Sequence, residues 1–233
     1  MRILPLLALC AGTAAAATLS GHVVVLSTDQ GSAKKSRDSA GVVVWLEPDS
    51  GPLAAPPLAR AVMEQRNKAF SPHVMAVQLG TAVDFPNFDP IFHNVFSNYD
   101  GQIFDLQLYA PQTTRRVVFR RPGMVRVFCN IHATMSAIIA VLPTPYFTVT
   151  GSDGHFAIQA PPGAYRFHVW HERSQLEMLT RLERSLTLPA AGLAMGDVRV
   201  SEQGYLALPH KNKYGRDYRP PPEDTVFYPG GRR

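Results

Sequence analysis

The sequence is poor in cysteine and lacks the patterns that mark most enzymes. Its 233 residues include two Cys, at positions 10 and 129. It has no His-x-His pair, no Ser, His and Asp in the order of a hydrolase triad, no zinc-protease helix and no glycine-rich phosphate loop. We therefore predict that the protein is not an enzyme.

Long apolar runs and dense basic stripes are also missing. Beyond the N-terminus, no stretch has the roughly eighteen consecutive apolar residues of a transmembrane helix, so we expect no membrane span in the mature chain. The formal net charge is +5, from 23 Lys and Arg against 18 Asp and Glu, but these charges are scattered. Nucleic acid is therefore not an expected partner.

The N-terminus has the pattern of a signal peptide. A basic start precedes an apolar run from Ile3 to Leu9, and small residues follow as far as Ala17. We predict a signal peptide over residues 1–17 and a periplasmic mature chain. Cleavage would remove Cys10 and leave Cys129 alone in an oxidising compartment, where a single thiol needs burial or a metal to protect it.

The remaining composition predicts an all-β chain. Twenty Pro and seventeen Gly punctuate short apolar or alternating runs. The segment Ser152-Asp153-Gly154 is typical of a hairpin turn, whereas Ser174 to Leu179 carries a weak helical pattern. The predicted strands are Val23–Leu26, Val42–Leu46, Val74–Val77, Ala82–Phe85, Arg116–Phe119, Met124–Phe128, Ile138–Leu142, Phe147–Val149, Phe156–Ile158, Tyr165–Val169, Leu182–Leu188 and Val198–Val200.

A Cys-x2-His-x2-Met segment is the most informative part of the sequence. We expect a strand to deliver Cys129 to the end of a sandwich, and a tight loop carrying His132 and Met135 to return to the next strand. A second imidazole would come from His93, which follows another predicted strand and the turn residues Pro86-Asn87. Thiolate, two imidazoles and a thioether favour copper; zinc gains nothing from a thioether and is the lesser alternative.

These residues resemble a known family. The segments Phe128-Cys129-Asn130-Ile131-His132 and Phe85-Pro86-Asn87 through His93-Asn94-Val95 are similar to cupredoxins, in particular to amicyanin-like and pseudoazurin-like proteins and to periplasmic methylamine utilisation proteins. The resemblance implies a Greek-key β-sandwich and one type-1 (blue) copper ion held by His93, Cys129, His132 and Met135.

The same resemblance assigns supporting roles around the metal. Asn87 would bond backbone near the Cys loop, and Asn130 would also lie just outside the ligands. His132 would be the electron port, with Phe92 or Ile131 in an apolar rim. On composition alone, five aromatic residues are simply predicted to be core, namely Phe85, Phe88, Phe92, Phe96 and Phe128.

The flanks resemble a different fold. The segments Ser20 to Leu46 and Tyr146 to Glu172 look like a carboxypeptidase regulatory-like, transthyretin-type sandwich. This resemblance implies that residues 18–55 and 144–203 share one sandwich. The copper domain, residues 56–143, would be inserted into it, and residues 204–233 would form an extended tail rich in Pro and Gly.

Three functions remain open at this point. The first is one-electron transfer between redox partners such as a c-type cytochrome, a dehydrogenase or an oxidase. The second is copper handling by a carrier or sensor with the same ligands. The third is an adhesion or assembly role in which copper only adds stability. The remaining histidines, including His73, His168 and His171, are predicted to be structural.

Overall fold

Nearly all of the regular secondary structure in the described residues is β-strand. A computed structural model describes residues 16–26, 38–51, 60–98, 101–205 and 210–218. The elements are β1 (Ala17–Leu26), β2 (Val43–Pro48), β3 (Ala61–Val62), β4 (Glu64–Arg66), β5 (Ala69–Ser71), β6 (Val74–Gln78), β7 (Ala82–Pro86), β8 (His93–Ser97), β9 (Phe104–Tyr109), β10 (Thr114–Val118), β11 (Gly123–Phe128), β12 (Ser136–Leu142), β13 (Phe147–Val149), β14 (His155–Ala160), β15 (Gly163–Trp170), α1 (Leu176–Thr180), β16 (Arg184–Leu188) and β17 (Leu193–Ser201). The all-β prediction is confirmed, and no helix in the described ranges is long and apolar enough to cross a bilayer.

The two ends of the chain build two sheets together. One sheet has the order β14-β1-β17 and the other the order β13-β2-β15-β16. Strands from residues 17–48 thus pair with strands from residues 147–201, as an inserted copper domain requires; the domain boundaries themselves stay a prediction. Residues 1–15 of the predicted signal peptide lie outside the described residues, and Ala17 pairs with Ala160 in β1. Cleavage after Ala17 would shorten β1 by one residue.

The middle of the chain forms a separate pair of sheets. These have the orders β6-β12-β11-β8-β9 and β10-β7-β3, and β4 pairs with β5 beside them. Alternating apolar residues of both sheets fill the space between them, as expected for sheets that pack face to face. This core contains Phe85, Val95, Phe119, Val125, Val127, Cys129, Met135 and Ile139 among its buried members.

A third apolar layer joins the two pairs of sheets. The outer face of β12 contributes the buried residues Ala140 and Leu142, and β2 contributes Val43. Partly buried side chains pack against them, including Trp45 of β2 and Phe147 of β13. Sheet β6-β12-β11-β8-β9 is therefore apolar on both faces in this region, and the flanking sandwich covers its outer face.

The predicted hairpin at Ser152-Asp153-Gly154 is wrong. The turn exists, but β13 pairs with β2 and β14 pairs with β1, so it carries the chain from one sheet to the other. Gly154 holds the turn in place, because its φ is +72° and its carbonyl accepts a 2.8 Å bond from the Val23 amide. A Cβ at this position would collide with the Val23 carbonyl oxygen. The turn is thus fixed against β1 instead of joining β13 to β14.

Two of the five aromatic residues predicted to be core are not buried. Phe85, Phe96 and Phe128 are, but Phe88 and Phe92 are each 37% exposed. Both lie in the loop between β7 and β8, where the chain no longer alternates between a buried and an exposed face. They therefore present apolar surface next to the segment that leads to His93.

Candidate metal centre

Strand β11 directs Cys129 into the protein. Val125 and Val127 are buried whereas Arg126 between them is exposed, so odd-numbered side chains face the core. Successive side chains on a strand point to opposite faces. Cys129 follows this alternation directly after β11 and is completely buried.

The loop after Cys129 closes on itself. The Cys129 amide donates to the Met135 carbonyl, and the Met135 amide donates to the His132 carbonyl, both at 3.1 Å. Strand β12 then begins at Ser136, which is the register partner of Phe128. Because the chain reverses within seven residues, His132 returns to the side of Cys129.

His93 reaches the same point from the neighbouring strand. It is the first residue of β8, which lies beside β11 through the pair Phe96 and Phe128. The Cys129 Sγ atom is 3.8 Å from Nδ1 of His93 and 3.6 Å from Nδ1 of His132. The candidate ligand atoms of these three residues all lie within 4.8 Å of one another. The tertiary structure thus brings together three of the four predicted ligands.

The fourth predicted ligand, Met135, lies in the same core. Its side chain is completely buried and belongs to the apolar cluster that contains Cys129. The thioether is therefore held out of water, on the same loop as Cys129 and His132. Its role as a weak axial ligand stays a prediction.

Burial keeps the three groups uncharged in the absence of a metal. Desolvation raises the pKa of the Cys129 thiol, although the backbone amides of Asn94, Ile131 and His132 act in the opposite direction. Desolvation also lowers the pKa of His93, and together with His93 it lowers the pKa of His132 to about 4. Two neutral imidazoles and one thiol form a donor set that suits copper, which would displace the thiol proton on binding.

A carboxylate orients the His93 ring. The Nε2 atom of His93 is 2.8 Å from Oδ2 of Asp89 and donates its proton to it. Asp89 also accepts bonds from the amides of Asn67 and Lys68, at 2.6 and 2.8 Å. Sequence reasoning missed Asp89, although a carboxylate four residues before a candidate ligand histidine was a signal that could have identified it.

The two asparagines assigned to the surroundings of the metal have different partners. The Asn87 side chain donates to the Ile91 carbonyl at 2.8 Å and accepts from the Asp89 amide at 3.1 Å. These bonds order the loop that leads to His93, not the Cys loop as expected. Asn130 accepts a 3.0 Å bond from the amide of Lys213, in a segment that sequence reasoning did not connect with the site.

Two other histidines, His73 and His168, are held by partners outside the three-residue cluster. His73 bonds to Glu172 and to the Ser136 carbonyl, at 2.9 and 3.1 Å. His168 stacks on Trp45 with ring centroids 4.8 Å apart. Within the described ranges, His93, Cys129 and His132 form the one cluster of three metal-binding side chains that meets these distances.

Comparison with known proteins identifies a relative of part of the chain. Over 59 residues, the sequence is 41% identical to methylamine utilization protein MauL of Methylorubrum extorquens. The aligned stretch covers 25% of this chain and 52% of that protein, so the chain spans about half the length of the curated relative it matches. No protein-family model matches. The predicted resemblance to methylamine utilisation proteins is confirmed over this stretch.

Several solved structures are similar to part of the chain. A purple cupredoxin from Nitrosopumilus maritimus is 20% identical, with a TM-score of 0.33, over 35% of this chain and 98% of its own. A reduced mutant of amicyanin is 16% identical, with a TM-score of 0.34, over 42% and 97%. A copper-containing nitrite reductase from Thermus scotoductus is 21% identical, with a TM-score of 0.35, over 52% and 28%.

Proposed function

We propose that this protein is a periplasmic type-1 copper protein that carries one electron at a time between redox partners. His93, Cys129, His132 and Met135 hold a single copper ion. The observation that carries the proposal is the buried Cys129 thiol, with one imidazole Nδ1 at 3.8 Å and a second at 3.6 Å. The protein is a carrier and not an enzyme.

The donor set favours copper over zinc. Soft thiolate and thioether sulfurs stabilise Cu(I), and imidazole nitrogens bind both oxidation states. Structural zinc sites are built from four Cys or His ligands and do not include a thioether. When bound, copper supplies a one-electron couple between Cu(I) and Cu(II).

The protein's own residues keep the site dry and its geometry fixed. Asp89 holds the His93 ring so that Nδ1 faces the thiol. The backbone amides of Asn94, Ile131 and His132 act to lower the pKa of Cys129 and so favour its thiolate form. Because two strands and a closed loop carry the ligands, little of the chain has to move when the charge of the site changes.

The exposed rim of the site supports docking of a redox partner. Ile131 is 43% exposed and Phe92 37% exposed, and His132 is half-buried beside Ile131. An exposed apolar side chain directly before each candidate ligand histidine suits brief encounters with a c-type cytochrome, a dehydrogenase or an oxidase. We propose that electrons enter and leave through His132.

Addition of Cu(II) to the purified mature protein tests the function. We expect a strong thiolate-to-copper charge-transfer band in the visible spectrum and the matching paramagnetic resonance signal. Cys129→Ser should abolish the band, and His93→Ala should weaken binding, whereas His155→Ala, at an exposed histidine outside the site, should leave it unchanged. Met135→Leu should retain copper and change the reduction potential, because the axial ligand is weak.

Electron exchange separates this function from copper handling. A reversible potential and fast electron exchange with a cytochrome support the carrier. Slow exchange together with ready transfer of Cu(I) to a chelator would identify a copper carrier or sensor.

N-terminal sequencing of the protein recovered from a periplasmic fraction tests the predicted signal peptide.

A further inference from the structure

A C-terminal segment lies on the loop that carries the ligands. We call residues 210–218 the strap. At its start, His210 lies 2.7 Å from the Ala133 carbonyl through Nε2, which must donate because a carbonyl can only accept. The His210 ring also stacks on Phe128, with centroids 4.2 Å apart and planes at 30°. The strap thus begins on the residues that flank Cys129 and His132.

The far end of the strap returns to the same loop. The Tyr218 hydroxyl donates to the Cys129 carbonyl at 2.7 Å. Its ring meets the His210 ring edge-on, with centroids 5.1 Å apart. Between the two ends, the Lys213 amide donates to Asn130 at 3.0 Å, and the Lys213 ammonium is 2.8 Å from Asp105 of β9. We call the segment from Cys129 to Met135 the copper loop. Three of its residues, Cys129, Asn130 and Ala133, therefore have a partner in the strap.

The strap has its own internal structure. The Asn212 side chain accepts bonds from the amides of Tyr214 and Arg216, and the Asn212 amide donates to the Arg216 carbonyl at 2.8 Å. The three residues that contact the copper loop are half-buried, as is Asn212, whereas the other five strap residues are exposed. This pattern is that of a short closed loop with one face on the metal centre.

We propose that the strap preorganises the copper loop, with His210 and Tyr218 as positioning residues. The proposal rests on the proposed function, which defines the ligands. The loop from Cys129 to Met135 has two internal backbone bonds, and the strap adds bonds to the carbonyls of Cys129 and Ala133. Fixing them limits the conformations of the loop, so His132 faces the thiol before a metal arrives.

The reactivity of Cys129 in the copper-free protein tests the strap without any metal. A buried thiol reacts only when the loop opens, so its alkylation rate by iodoacetamide reports the opening. Tyr218→Phe removes the bond to the Cys129 carbonyl, and we expect about fivefold faster alkylation. Tyr214→Phe is the matched control, because that ring is 69% exposed, and its rate should stay as in the wild type. Equal rates in the two variants would overturn the proposal.

A second pair of variants covers the case in which Tyr218→Phe does not fold. His210→Ala removes both the ring stack and the donor to Ala133, and it should also speed alkylation about fivefold or more. His210→Gln restores a donor and should lie closer to the wild type. Alkylation of the Cys129 peptide is followed by mass spectrometry, and urea unfolding should show similar global stability for all variants.

The spectra of the copper-loaded protein distinguish a change at the copper loop from a general loss of stability. We expect the charge-transfer band and the copper hyperfine splitting to shift in Tyr218→Phe and not in Tyr214→Phe, since the strap bonds to the carbonyl of the thiolate residue. Identical spectra together with identical alkylation rates would refute the strap. If the wild type binds no copper, the proposed function fails, but the alkylation comparison still decides the role of the strap.

Discussion

At the scale of single residues, Asp89 decides which nitrogen of His93 faces the thiol. A neutral imidazole has one N–H, and the Asp89 carboxylate accepts it from Nε2, which leaves the Nδ1 lone pair directed at Cys129. Burial acts to raise the pKa of Asp89, but bonds from Lys68, His93 and Asn67 outweigh it and the pKa is lowered. The carboxylate is therefore charged, and it holds the ring in its metal-binding tautomer.

Replacing this carboxylate should weaken metal binding without unfolding the protein. We expect Asp89→Asn to lower copper affinity about 10- to 100-fold, because the tautomer and orientation of His93 are no longer fixed. Asp84→Asn is the control, since the Asp84 carboxylate pairs with Arg116 on the neighbouring strand. Competition with a chelator of known affinity measures the change, and equal affinities for the two variants would contradict the role given to Asp89.

At the scale of elements, an ion pair links the sheets that carry the candidate metal centre to the flanking sandwich. His73 precedes β6 and Glu172 follows β15, and their charged atoms lie 2.9 Å apart. The other nitrogen of His73 donates to the Ser136 carbonyl. The Glu172 carboxylate and the Ser136 carbonyl can only accept hydrogen bonds, so together they favour the doubly protonated His73 ring. The bond to Glu172 is the main reason that the pKa of His73 is raised.

The stability from this pair should depend on pH. A raised histidine pKa adds stability below the ordinary value of 6.5, and this stability is lost as pH rises through the raised pKa. Although burial acts to raise the pKa of Glu172, its bond to His73 contributes to a net lowering, so its contribution is lost at acid pH. Glu172→Gln should therefore destabilise the copper-free protein more at pH 6 than at pH 9.

The size of this effect is limited by exposure. Half of the His73 side chain is open to solvent, so we expect a difference of at most about 1 kcal/mol between the two pH values. Urea unfolding of the wild type, Glu172→Gln and the exposed control Glu177→Gln at both pH values provides the measurement. A loss in Glu172→Gln that is the same at pH 6 and pH 9 would show that the pair is not ionic.

At the scale of the whole molecule, three apolar layers stack one above another. The flanking sandwich has its own core, the sheets that carry the candidate metal centre have a second, and Val43, Ala140 and Leu142 form the layer between them. Leu142 is the last residue of β12, the strand that begins directly after Met135. The strand that follows the loop from Cys129 to Met135 is thus anchored in the layer shared with the flanking sandwich.

Removing a side chain from this shared layer should lower the stability of the protein. Leu142 is 2% exposed, and we expect Leu142→Ala to reduce the free energy of unfolding by about 2–5 kcal/mol, because it leaves a cavity. Leu176→Ala, at a helical residue that is 72% exposed, should change it by less than about 0.5 kcal/mol. Similar losses in both variants would mean that the layer contributes little.

The sequence by itself determined the strands on either side of the Cys129 loop and the donor chemistry of the candidate ligands, but it did not predict β3, β4, β5, β8 or β9. Alternation around Val125 and Val127 predicts that Cys129 faces inward, and the spacing of His132 and Met135 predicts a loop that returns to the next strand. These inferences succeed because the period of a strand and the reach of a short loop are local properties. The pairing of Cys129 with His93, 36 residues earlier, followed from the donor types that copper requires.

Only the tertiary structure decided which distant parts of the chain surround the site. Asp89 was visible in the sequence, but its bond to His93 depends on the path of the loop between β7 and β8. The turn at Gly154 looked like a hairpin because the two-residue signal is local, whereas the choice of partner strands is made by the sheets on either side. The strap reaches Cys129 across 89 residues of sequence, and no local pattern encodes a contact of that separation.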